Sequence, residues 1–250
     1  EMVYPDGEVL TYAYDAGGLV SSVTGRKLGE TYPYVTRLEY DHFGQRRYLQ
    51  QGNGIVTHYT YDAETRRLDT MDAAEFQRLR YVYDGVGNVR SLVNDITSAL
   101  SANQRGGRVE QAFTYDDLHR LDTATGTWTE PGGARNSYTL DVDYDAIHNI
   151  TRKAQTHTVS RQGNGRPVPQ RRTSYDWTYE YDGPQPHAPS AVGDQSFSYD
   201  ESGRMESRQQ RGMGAPSRTL LWDSEDRIQA IQDGGAAVED EAGNVVAGRG

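Results

Sequence analysis

One short pattern recurs along the 250-residue chain: an aromatic residue, Asp, two variable residues, Gly or a substitute, Asn or Arg, and often an aliphatic. It appears as Tyr14-Asp15-Ala16-Gly17-Gly18, Tyr40-Asp41-His42-Phe43-Gly44, Tyr61-Asp62, Tyr83-Asp84-Gly85-Val86-Gly87 and Tyr115-Asp116-Asp117-Leu118-His119. It continues as Tyr144-Asp145-Ala146-Ile147-His148, Tyr181-Asp182, Tyr199-Asp200-Glu201-Ser202-Gly203, Trp222-Asp223-Ser224-Glu225-Asp226 and Glu239-Asp240-Glu241-Ala242-Gly243. Self-similarity at this density makes the chain a repeat array, and each unit has to bury its apolar face against its neighbours.

The residue two before each aromatic is large and apolar: Tyr12, Leu38, Tyr59, Tyr81, Phe113, Val142, Tyr179, Phe197 and Leu220. Period-two spacing puts both on one face of a β-strand. Asp is favoured at the first position of a type I turn and Gly at the fourth, so Asp-x-x-Gly between strands describes a hairpin corner. His119, His148 and Asp226 stand where Gly is expected, and these residue types tolerate left-handed backbone best. The repeat reads as strand, tight turn and returning strand. The sequence therefore predicts an all-β fold, an antiparallel β-hairpin ribbon. Its structural residues are the motif positions Tyr14, Asp15, Gly18, Tyr40, Asp41, Gly44, Tyr61, Asp62, Tyr83, Asp84, Gly87, Tyr115, Asp116, Tyr144, Asp145, Tyr199, Asp200, Gly203, Trp222 and Asp223.

Successive motif Asp residues lie between 17 residues (Asp223 to Asp240) and 37 residues (Asp145 to Asp182) apart. A hairpin with its connection takes about 20. The longer intervals carry expected insertions near 94–108, where Asp95 to Leu100 could form a helical turn, and near 129–136 and 157–172. Gly52-Asn53-Gly54 reads as a turn at the opposite end of the hairpins. Tyr175-Asp176, followed by Trp177-Thr178-Tyr179, reads as strand.

The aromatic-Asp motif resembles the YD repeats of the RHS family: bacterial RHS toxins, the B and C components of insecticidal toxin complexes, and animal teneurins. The resemblance covers roughly Tyr4 to Val245. It implies a ribbon that spirals into part of a hollow shell, and in the bacterial members a shell enclosing a cytotoxic carboxy-terminal polypeptide. It also implies secretion or export from a bacterium, with other toxin-complex or secretion components as partners. This sequence has no Asp-Pro dipeptide, so the self-cleavage linked to such a segment in the family is assigned to no residue here. No toxin domain or delivery domain is visible and both ends stop in mid-pattern, so a fragment of a larger polypeptide, residues 1–250 of one repeat segment, is expected.

Composition excludes other classes. Zero Cys removes disulfide scaffolds, thiolate zinc sites and cysteine nucleophiles. No apolar run is long enough for a membrane-spanning helix, and no signal peptide begins the chain. The net charge of −10 argues against nucleic acid as a partner. Arg161, Arg166, Arg171 and Arg172 form a local basic loop, read as a solvated insertion. Asp141, Asp143 and Asp145 alternate on a strand, but Ala146 and Arg152 stand where a calcium loop needs Gly and Glu. The histidines His42, His58, His119, His148, His157 and His187 show no pair at helical metal spacing. No nucleophile elbow or phosphate loop is present. The expectation is a non-enzymatic structural wall with no catalytic residue, metal or cofactor. The competing reading is a teneurin-like cell-surface adhesion or glycan-binding module, for which Trp128 and Trp177 are the aromatics least accounted for by the repeat.

Overall fold

The computed structural model describes residues 1–74, 76–96, 107–130, 133–161, 165–212 and 217–234, together with the backbone of 238–239 and 245–247. Among these residues every regular element is a β-strand, and no helix is long and apolar enough to cross a membrane. The chain divides into two compact units, one of Glu1–Thr139 with His157–Gln170, the other of Leu140–Thr156 with Arg171–Gly250.

The first unit is an antiparallel meander of β1 (Met2–Val3), β2 (Val9–Tyr14), β3 (Val20–Lys27), β4 (Glu30–Tyr40), β5 (Arg46–Gln51), β6 (Val56–Tyr61), β7 (Leu68–Ala73), β8 (Gln77–Tyr83), β9 (Val89–Asn94), β10 (Val109–Tyr115) and β11 (Leu121–Thr129). From β1 to β11 each strand pairs with the next. Strands β12 (Arg135–Tyr144) and β13 (Ile150–Ser160) contribute residues to both units. The short β14 (Val168–Pro169) lies against Thr158 and Val159 of β13. In the second unit β13 pairs with β15 (Tyr175–Glu180), followed by β16 (Ala191–Val192), β17 (Gln195–Tyr199), β18 (Met205–Gln210), β19 (Ser217–Trp222) and β20 (Ile228–Asp233). A last pair joins β21 (Val238–Glu239) and β22 (Val245–Ala247).

Strands β8 and β10 show why the ribbon has two unlike faces. Leu79, Tyr81 and Tyr83 on one, and Val109, Phe113 and Tyr115 on the other, are half-buried, whereas Arg78, Arg80, Val82, Glu110, Ala112 and Thr114 between them are exposed. Side chains alternate across a strand, so the rings and aliphatics collect on one face and mostly polar groups on the other. Hydroxyls pair across strands on the polar face, Thr60 with Thr70 at 2.6 Å, Thr114 with Thr123 at 2.6 Å and Ser198 with Ser207 at 2.7 Å. Among the described residues the buried apolar side chains are Leu10, Ile96, Ala124, Val142, Ala191 and Leu220. A layer that buries so little of its own apolar face is stabilised sideways, strand by strand, rather than by a thick core.

Two strand glycines serve that sideways packing. A Cβ on Gly25 or Gly126 would run into the ring of Tyr34 or Tyr138. Each of those phenols in turn is hydrogen-bonded further on: the Tyr34 hydroxyl donates to Glu8 Oε1 at 2.6 Å, and Tyr138 accepts from Gln111 Nε2 at 2.8 Å. The missing side chain lets an aromatic lie flat across the strand and link its neighbours.

Of the expected insertions, the helical turn at Asp95 to Leu100 falls largely outside the described residues, which include only Asp95 and Ile96 of it, neither in a regular element. In the segment 129–136, Glu130 N–H donates to Ala134 C=O at 2.8 Å and Gly133 N–H to Glu130 C=O at 2.9 Å, while Pro131 and Gly132 lie outside the described residues. In 157–172, β13 continues to Ser160 and its Thr158 and Val159 pair with Pro169 and Val168, so ladder hydrogen bonds replace part of the expected surface loop. Tyr175 and Asp176 lie within β15. Gly52-Asn53-Gly54 is a turn between β5 and β6, with Gly54 at φ 86° and its N–H on Gln51 C=O at 2.9 Å.

Candidate functional site: the aromatic-Asp turns

Each motif turn is organised by its Asp. At Asp116 the backbone N–H donates to Arg120 C=O at 2.9 Å, while the carbonyl accepts His119 N–H at 2.9 Å. Asp116 Oδ1 accepts the N–H groups of Leu118 and Arg120, both at 2.9 Å, and Oδ2 accepts Arg120 Nε at 2.7 Å. The same Oδ1 pattern recurs at Asp15, Asp41, Asp84, Asp145, Asp200 and Asp223. One carboxylate thus satisfies the polar groups that a tight loop leaves unpaired.

The residue in the Gly position has positive φ: 80° at Gly18, 77° at Gly44, 111° at Gly87 and 80° at Gly203. His119, His148 and Asp226 adopt 61°, 71° and 60° in the same place. Strand register slips by one residue at the motif aromatic, as between Thr114 and Tyr115 and between Val82 and Tyr83. A type I turn, a left-handed residue and a bulge make up the three-residue hairpin loop, whose twist suits the flanking strands. At Asp62 the loop is one residue longer, with Arg66 at φ 62° and Thr65 capping Oδ1 through both N–H and hydroxyl. Asp182 makes no such turn. Its N–H donates to Ser190 Oγ at 3.2 Å, and the chain returns through Pro184, Pro186 and Pro189, which lack the N–H groups that a motif loop uses.

The aromatic has a second task, invisible in the hydrophobic pattern. Its polar atom reaches back to the carbonyl of the residue that resumes the strand after an earlier turn. Tyr40 donates to Val20, Tyr61 to Arg46, Tyr83 to Leu68, Tyr115 to Val89 and Tyr181 to Ile150, all between 2.8 and 3.0 Å. Tyr199 donates to Pro189 at 3.0 Å and Trp222 Nε1 to Met205 at 2.8 Å. The sequence carries a signal for this link: every motif aromatic from Tyr14 to Trp222 has a hydrogen-bond donor, whereas the apolar position two residues earlier accepts Phe, as at Phe113 and Phe197. Tyr14, the first, is 60% exposed, and Tyr144 sits in the second unit at the end of β12.

Side chains just after the turns reach the opposite way. Gln45 Nε2 donates to Arg66 C=O at 2.7 Å, Arg67 Nη1 to Asp84 C=O at 3.0 Å, and Arg204 Nη1 to Asp223 C=O at 3.1 Å and Asp226 Oδ1 at 2.8 Å. The loop pairs Asp41–Asp62, Asp62–Asp84 and Asp200–Asp223 are therefore clasped in both directions.

These contacts set the electrostatics. The backbone N–H groups of Arg120, Arg204 and Arg227 hold the carboxyls of Asp116, Asp200 and Asp223 below the ordinary aspartate value. For Asp41, Asp84 and Asp145 burial pushes the other way, and the loop hydrogen bonds outweigh it. Burial raises the phenols of Tyr61, Tyr83, Tyr115, Tyr181 and Tyr199. Both shifts favour the protonation states that make the clasps. Among the described residues no group of three or more His, Asp or Glu is placed to hold a metal. Trp128 stacks on His157 at 5.2 Å, and Trp177 on Tyr175 at 4.0 Å. The tenth motif copy, Asp240 to Asn244, lies outside the described residues.

The chain matches no protein-family model. It is 34% identical over 169 residues to the toxin subunit YenC2 of Yersinia entomophaga, an alignment taking in 61% of this chain and 17% of that subunit. The toxin subunit YenC1 of the same organism is 37% identical over 131 residues, 48% of this chain and 13% of that one. Both relatives are toxin subunits, and they support the resemblance to the RHS repeats that the aromatic-Asp motif carries. In fold, the chain is similar to a region of the crystal structure of TcdB2–TccC3–Cdc42, with a TM-score of 0.64 at 21% identity, covering 91% of this chain and 12% of that one. The segment thus spans less than a fifth of each relative it matches.

Proposed function

We propose that this RHS segment is a stretch of wall in a toxin-complex shell that encloses a polypeptide passenger, and that it works without catalysis. The observation that carries the proposal is the single-layer ribbon with one aromatic-aliphatic and one polar face, seen in the alternation of β8 and β10. A wall needs that asymmetry, water on one side and something apolar on the other, and paired strands leave few edges for proteases or aggregation. The motif carboxylates are engaged by loop N–H groups, which leaves them poorly suited to acid–base chemistry. The kinship with toxin subunits supports partners within a toxin complex and export from a bacterium. The test is cryo-EM of the complete polypeptide containing this segment, with mass spectrometry for a retained internal fragment. The expected result is a closed wall with density inside it. An open assembly with no interior volume would reject enclosure and favour a cell-surface adhesion module.

A further inference from the structure

The corner formed by β1 to β4 contains a cavity of about 570 Å³ lined by Tyr4, Pro5, Asp6, Glu8, Leu10, Val23 and Tyr34. It is separate from the aromatic-Asp turns, and none of their contacts uses it. Its walls are fixed by cross-links. The turn carrying Tyr4 is closed by Tyr4 N–H on Glu8 C=O at 2.9 Å and Gly7 N–H on Tyr4 C=O at 3.0 Å. Lys27 Nζ ties Asp6 to β3 at 2.7 Å, and the Tyr34 hydroxyl ties β4 to Glu8 Oε1 at 2.6 Å across the space left by Gly25. A cavity held this way loses little freedom on filling.

Its chemistry is specific. Tyr4 and Tyr34 are 43% and 48% exposed, so two aromatic rings border the opening. Leu10, Val23 and Pro5 supply apolar lining. The Asp6–Lys27 pair is neutral overall, which leaves Glu8 as the net charge of the site; its Oε2 has no hydrogen-bond partner among the described residues. Aromatic rings, apolar lining and one carboxylate suit a cation that is large, weakly hydrated and coated in methyl groups, because such an ion gives up little hydration and gains both cation–π and dispersion contacts. A primary ammonium is held more tightly by water, and a neutral ligand gains nothing from Glu8.

We propose that this cavity binds a quaternary ammonium group of the choline type. The test is an NMR titration of the full chain with choline, following the tyrosine ring signals, beside a titration with the neutral tert-butyl isostere of choline. Choline binds with a dissociation constant near the millimolar range and the isostere about tenfold more weakly. Glu8→Gln keeps an acceptor for the Tyr34 hydroxyl and removes the charge, and it weakens choline severalfold without moving the isostere. Tyr34→Leu abolishes the choline response. Phosphatidylcholine vesicles assign the source: co-sedimentation points to a lipid headgroup, and binding of free choline alone points to a soluble ligand. Equal affinity for choline and its isostere, or an unchanged choline affinity in Glu8→Gln, overturns the proposal.

Discussion

Removing one hydroxyl tests whether the backward clasp holds neighbouring repeats together. Tyr115→Phe keeps the ring and deletes the donor that meets Val89 C=O at 2.9 Å in a part-buried position. A neutral hydrogen bond of this kind contributes a net stabilisation of about 1 kcal/mol, equivalent to roughly a fivefold change in a local opening equilibrium. Stability in a repeat array is close to a sum of units and nearest-neighbour contacts, so the loss stays near the contact. Native-state amide hydrogen exchange should therefore show about fivefold faster exchange at the Asp84–Asn88 and Asp116–Arg120 loops, and no change at the Asp200–Arg204 loop. Tyr14→Phe is the matched control, because the Tyr14 hydroxyl makes no hydrogen bond among the described residues and lies exposed; its exchange should change less than about twofold. Equal acceleration by the two variants, or none by Tyr115→Phe, would refute the clasp.

The loop geometry and the titrating groups lead to two more expectations. Gly87→Val places a β-branched residue at φ 111° with its Cβ 2.8 Å from Arg67 Nη2, whereas Gly85 in the same loop has open space around it. The first should cost about 2 kcal/mol or more and the second under about 1 in chemical denaturation; equal midpoints would sink the turn assignment. The motif carboxyls sit below their ordinary value of 3.8 when folded, so their contribution is complete above that pH and is lost as pH falls through the depressed values. The clasp phenols sit above 10.0, so theirs is complete below that pH and disappears as pH rises through the raised values, when a phenolate cannot donate. Circular dichroism should stay flat between about pH 5 and 9 and change at both extremes; an acid transition centred above about pH 5 would contradict this.

What could be read from the sequence was what is local. Asp-x-x-Gly, and His119, His148 and Asp226 in the Gly place, describe loops because the loop is decided within five residues. The backward clasp was not readable from periodicity, since Tyr and Phe weigh alike in a hydrophobic pattern and the acceptor carbonyl lies on another strand. Tyr181-Asp182 shows the converse: the dipeptide is intact, yet the prolines after it carry the chain elsewhere and only the Tyr half of the motif operates. The cavity between Tyr4 and Tyr34 leaves no mark in the sequence for a third reason. It depends on Gly25 lacking a side chain beneath a ring from the next strand, and no repeat signals that.

The direction of the clasps bears on how such a chain is made. Each phenol or indole finds its acceptor at a residue with a lower number, between 10 and 31 positions earlier. When a loop leaves the ribosome, the carbonyl that it docks on has already been synthesised. The backward clasps can therefore form in step with translation from the amino end, each new hairpin seating its ring on a finished one, while the forward contacts of Gln45, Arg67 and Arg204 close when the next loop arrives.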